Sequence, residues 1–123
     1  MNPQTLLMRQ INPNFLQNGR PTSQVFRPTP KDESLLSVYD GDLIDAQGAY
    51  DHYTTQLQLR SSGVMAVSVE QCSNIDLPSR LDPVPFPEHA VIDFTGLSNK
   101  IRETKSKLLR ANAQDRGWLL FFS

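Results

Sequence analysis

Asp82-Pro83-Val84-Pro85-Phe86-Pro87-Glu88-His89-Ala90-Val91-Ile92-Asp93-Phe94-Thr95 changes character halfway along. Three prolines alternate at Pro83, Pro85 and Pro87, and a period-2 pattern begins at once at His89. Each proline fixes its own φ near −65° and pushes the preceding residue towards extended backbone. The loop is therefore stiff before any tertiary contact forms, and it delivers Glu88 and His89 to the mouth of a strand. Along that strand His89, Val91, Asp93 and Thr95 share one face, while Ala90, Ile92 and Phe94 share the other. The second set is apolar, so it is expected to face the core and to leave His89 and Asp93 looking outward or into a cleft.

Working upstream, Thr5 to Ile11 reads as a first strand, closed by the turn signals Asn12-Pro13 and Asn18-Gly19-Arg20-Pro21. Gln24 to Arg27 reads as a short second strand stopped by Pro28 and Pro30, and Leu35 to Tyr39 as a third. From Asp42 the period changes: Leu43, Ala46, Ala49, Tyr50, Tyr53 and Leu57 recur at helical intervals. Asp42 is the expected N-cap, and Gly48 inside the helix counts against it by on the order of 1 kcal/mol. Val64 to Val69, five of six residues apolar, reads as a central strand covered on both faces.

Downstream, a helix is expected from about Ser98 to Asp115 with Gly117 as its stop and Leu97, Ile101 and Leu108 as its apolar stripe. Trp118 to Phe122 reads as a last strand or a docked tail. Five consecutive large apolar side chains need cover from the core or from a second copy of the chain. The order predicts one α+β domain over residues 1–123. It has a mixed, mostly antiparallel sheet of five or six strands with two helices on one face.

The 123 residues suffice for one core and not for two ordinary ones. Hydrophobic content of 38% with 20% charged residues fits a globular chain, and no apolar run approaches the roughly 20 residues of a membrane span. Residues 1–11 lack the pattern of a secretory signal, and Cys72 is the only cysteine, so a cytoplasmic location is expected. Net charge is −1 but uneven. Residues 1–96 carry six basic against eleven acidic side chains, a net of −5, and residues 97–123 carry six against two, a net of +4. In the last helix Lys100, Arg102, Lys105, Lys107, Arg110 and Arg116 spread round the circumference, and Glu103 pairs within it. A nucleic-acid binder acting through this helix is the third function class, and the spread argues against it.

Imidazole is the side chain whose ordinary range permits acid–base work, and His89 sits where a strand opens, so it is the first catalytic candidate. Asp93 is not its partner, because four strand residues separate them by roughly 13 Å. A carboxylate from another strand is expected instead, with Glu70 the first choice. His52 falls on the polar side of the first helix. No two ligands show metal-site spacing, the Asp40-Gly41-Asp42 run misses the calcium-loop pattern, and no cofactor fingerprint occurs, so no metal and no cofactor are assigned. Cys72 is read as structural, with a Cys72–His89 pair the geometric alternative.

Arg9 on the first strand, Ser37 on the third and Glu70 at the end of the strand from Val64 resemble, in type and order, small NAD-consuming ADP-ribosyltransferase-like domains. The resemblance covers those three residues and departs where the family has a paired Glu-x-Glu or Gln-x-Glu, since position 68 is serine. It implies a transferase or hydrolase built on Arg9, Ser37, Glu70 and His89. Without catalytic motifs, the leading expectation is an accessory or binding module acting through a protein partner or self-association. The enzyme is the alternative, and it requires those four side chains to gather around one concave pocket.

Overall fold

Six strands form one antiparallel sheet in the order β6-β7-β4-β1-β5-β8, in a computed structural model that describes residues 1–29 and 34–122. The strands are β1 (Leu6–Gln10), β4 (Leu35–Asp40), β5 (Gly63–Ser68), β6 (Ser79–Leu81), β7 (His89–Asp93) and β8 (Leu120–Phe121). A two-residue hairpin, β2 (Leu16–Gln17) with β3 (Arg20–Pro21), stands apart. Three helices complete the α+β domain: α1 (Ala46–Asp51), α2 (Val69–Ser73) and α3 (Asn99–Arg116). Each strand pair in the sheet is antiparallel, so the expected parallel component is missing among the described residues.

β7 has the register that its alternation demands. Ala90, Ile92 and Phe94 are fully buried in the larger core, and β7 lies between β6 and β4. Its other face is also covered, with Val91 and His89 buried. The Pro-rich stretch is the connection of a β6–β7 hairpin, with Leu81 opposite Ala90.

The helices divide between the two faces of the sheet, against the expectation of one. Leu7, Leu36, Val38, Met65 and Val67 point to the core shared with Leu109 and Ala113 of α3. Met8, Tyr39, Val64 and Ala66, one residue out of step, point to a smaller core beneath Ala49 of α1. Both faces are apolar and both need cover. β5 accordingly has all six residues buried, yet it lies second from the edge because only the short β8 pairs beyond it.

Gln24 to Arg27 is not a strand but part of a 3₁₀ helix, Ser23–Phe26. A strand would send Val25 and Phe26 to opposite faces, whereas the tight turn buries both in the core below α3. Pro30, the expected stop, lies outside the described residues.

The helix expected from Asp42 begins later. Asp40 accepts a hydrogen bond from the Asp42 amide in a local turn, and Asp45 is the N-cap, its carboxylate accepting from Gly48 N at 2.7 Å. Gly48 then has a reason: a Cβ there would lie 2.9 Å from Ile44 Cγ1 and 3.0 Å from the capping carboxylate. After Asp51 the helix loosens into a π turn, His52–Gln56, while Leu43 and Leu57 stay largely exposed. Asp45→Ala is expected to cost about 0.5–2 kcal/mol in a urea melt. An unchanged midpoint would show that the cap is idle.

α3 is held at Ser98 and Gly117 as its caps predict, but it buries another face. Ser106, Leu109 and Ala113 are fully buried, whereas Ile101 and Leu108 are each 45% exposed. The Ser106 hydroxyl donates towards Arg102 O and Phe26 O, so a polar side chain enters the core satisfied. Ser68 ends β5 and is also the N-cap of α2 in a capping box with Gln71, so Val69, read as strand, and Glu70 belong to a helix. At the C-terminus Trp118 packs on the larger core and Leu119 and Leu120 on the smaller, but Phe121 and Phe122 remain 43% and 45% exposed.

Candidate active site

The pairing of β4 with β7 sets Tyr39 opposite His89 and Ser37 opposite Val91. Ser37 and His89 are therefore diagonal neighbours on the face away from α3, within side-chain reach. His89 Nε2 lies 3.1 Å from Ser37 Oγ. His89 Nδ1 lies 2.8 Å from the Asp82 carbonyl oxygen and 3.6 Å from Asp82 Oδ2.

These contacts choose the tautomer. A carbonyl oxygen only accepts, so Nδ1 carries the proton and donates to Asp82 O, leaving the Nε2 lone pair to accept from the Ser37 hydroxyl. The hairpin holds the arrangement from both ends, because Asp82 N donates back to His89 O at 2.9 Å. The imidazole is largely buried, while Ser37 is exposed at the cleft surface. A hydroxyl, a base aligned on it and an acidic residue behind the base form the arrangement that activates a nucleophile.

Aromatic rings fix the imidazole from the side. Phe86, from the proline loop, meets His89 edge-on at 5.2 Å and stacks on Tyr39 at 5.1 Å. Tyr39 OH lies within hydrogen-bond distance of His52 Nδ1, at 2.8 Å. Burial above all, then Tyr53 and Glu88, pushes the Tyr39 phenol well above its usual range, so it stays protonated. His52 is half-buried and part of the packing round Phe86, 4.5 Å between ring centres.

Arg9 reaches the same place. The β1–β4 ladder stops at Met8 opposite Tyr39, and beyond it Arg9 Nη1 donates to the Ser37 carbonyl at 2.9 Å while Nε donates to Val25 O at 2.8 Å. Arg9, Ser37 and His89 line one cavity of about 500 Å³ whose walls include Tyr53, Leu57, Leu59 and Phe86.

Three of the four expected site residues therefore gather, and Glu70 does not. It opens α2 with its amide on Pro3 O, beyond the end of β1 where Leu6 faces Ser68, whereas Arg9 and Ser37 belong to the other end of that strand. The grouping of Arg9, Ser37 and Glu70 on which the transferase resemblance rests is not assembled. The carboxylate behind His89 is Asp82, seven residues upstream, because the proline loop folds back as a hairpin. Its signal was in the opening stretch: an Asp at one end of a stiff loop and a His at the other.

Cys72 is on the opposite side of the sheet, in the larger core, and burial pushes its thiol up to about 12. It stays protonated near neutrality and serves as an apolar side chain, so no Cys72–His89 pair exists. Among the described residues no three His, Cys, Asp or Glu side chains cluster as metal ligands, and no helix is long and apolar enough to cross a membrane. Comparison with protein families, with curated proteins and with solved structures finds no match to the chain.

Proposed function

We propose that the chain is a small serine-dependent hydrolase or acyl transferase, with Ser37 as nucleophile and His89 as its general base. The observation that carries this reading is the Ser37 Oγ to His89 Nε2 hydrogen bond of 3.1 Å at a cavity, with Nδ1 held on Asp82. The step follows from the tautomer. Ser37 Oγ attacks a substrate carbonyl carbon as its proton passes to Nε2, and the imidazolium returns that proton to the departing alcohol, thiol or amine. A water deprotonated by the same Nε2 then releases the acyl group, or a second alcohol takes it. The Asp82 carboxylate stabilises the charged ring in between, and Arg9 brings a positive charge to the backbone of Ser37. Apolar walls from Leu57, Leu59 and Phe86 suit an aliphatic or aromatic acyl group.

The test is covalent. A fluorophosphonate probe should leave a mass adduct on Ser37, absent from Ser37→Ala. A wild-type chain that remains unlabelled, or labels elsewhere, sinks the proposal.

The exposed Phe121 and Phe122 favour a second reading, a cytoplasmic binding module that self-associates through β8. Light scattering should then show a mass above 13.9 kDa that falls on Phe121→Ser with Phe122→Ser. A monomer at all concentrations would dismiss it.

A further inference from the structure

Two clefts flank α3 on the side of the β2–β3 hairpin, each holding two arginines. Arg20 and Arg110 line one of about 610 Å³, and Arg27 and Arg102 line another of about 700 Å³. Among the described residues no Asp or Glu lines either cleft. The guanidinium groups of Arg20, Arg27 and Arg110 make no hydrogen bond or ion pair with any described residue, and Arg110 Nε is shut off from solvent without an acceptor. A buried cationic N–H without a partner is costly, and an anion would relieve it. Arg102 is already oriented, with Nε donating to Leu97 O at 2.9 Å and Nη2 to Ser34 Oγ.

The spacing selects the ligand. Arg102 and Arg110 are eight helical residues apart, about 12 Å along the axis. One phosphate cannot bridge that distance, whereas a chain of phosphates can. The second cleft adds the Phe15 ring beside its arginines, with the amides of Gln24 and Asn99. Charge along a backbone plus an aromatic platform and amide edges is the combination that holds single strands. We infer that this flank of α3 binds single-stranded nucleic acid, its phosphates on the two arginine pairs and a base against Phe15. The sequence pattern pointed away from such a partner because it showed only the helix's own charges. Arg20 and Arg27 come from elsewhere in the chain and complete each pair. The surface is independent of the Ser37–His89 cleft.

Fluorescence anisotropy of a labelled oligouridylate with the full chain tests it. Affinity should fall between about 50 and 200 mM salt with a log–log slope of about −3, for four phosphate contacts at ~0.7 each. The double variant Arg20→Glu with Arg27→Glu should bind at least about tenfold more weakly and flatten the slope by more than about one. Circular dichroism establishes that it is folded. Should it not fold, Arg20→Glu alone, at an exposed position, together with the wild-type slope decides the matter. No binding at the lowest salt, an unaltered affinity in the folded variant, or equal displacement by inorganic phosphate or polyglutamate overturns the inference.

Discussion

His89→Gln will slow fluorophosphonate labelling of Ser37 by about 10²–10⁴-fold, the range over which a positioned general base accelerates proton transfer. The serine hydroxyl is a poor nucleophile on its own, and among the described residues only Nε2 stands ready to take its proton. Glutamine retains a polar side chain of similar length but cannot act as the base. Asp82→Asn should do less, about fivefold or ~1 kcal/mol, because its carboxylate is partly exposed and the tautomer is set by the backbone carbonyl, which the variant keeps. Labelling rates for the three chains, each shown to be folded by circular dichroism, measure both effects. Equal rates for wild type and His89→Gln would mean that the pair is only a cross-strand contact. An Asp82→Asn loss as large as that of His89→Gln would mean that the carboxylate, not the carbonyl, orients the ring.

Gly63→Ala is expected to strip β8 from the sheet. Gly63 has φ of 153°, and a Cβ there would lie 2.2 Å from Leu120 O and 3.0 Å from Phe121 Cα, both backbone atoms that cannot swing aside. Backbone strain of about 1–3 kcal/mol and a similar overpacking term give a loss of about 2–6 kcal/mol, unless the strand detaches first. Detachment has its own signature, because Trp118 is the only tryptophan and packs on the larger core just before β8. Its emission should shift to the red as the segment leaves, while far-UV dichroism from the rest of the sheet persists. A Gly63→Ala chain with native emission and an unchanged urea midpoint would mean that β8 does not pair with β5 as described.

The same segment shows how far composition alone carries. All five residues of 118–122 are large and apolar and required cover, and three of them obtain it from the two cores, yet Phe121 and Phe122 stay half open. The pattern states a need for burial and leaves open which neighbour meets it. α3 gives the same lesson in reverse. Ile101 and Leu108 looked like the buried stripe, but Ser106 and Ala113 are small enough for the helix to approach Phe26 closely, and the serine hydroxyl finds Phe26 O there. No count of apolar residues anticipates a polar side chain satisfied by a carbonyl eighty positions away.

Read by itself, the chain determined its α+β class, the register of β7, the two-sided burial of β5 and the ends of α3 at Ser98 and Gly117. These follow from forces that act within a few residues: proline sterics, the two-residue pleat and a side chain capping its own helix. The choice of face for each helix, the 3₁₀ turn that buries Val25 beside Phe26, and the partners of His89 were left to the tertiary structure. Ser37 meets His89 across 52 residues, and Asp82 meets it only because the proline loop closes a hairpin. Such contacts are set by which strands pair and in which register, a global minimum of burial and backbone hydrogen bonding that no local window of the sequence contains.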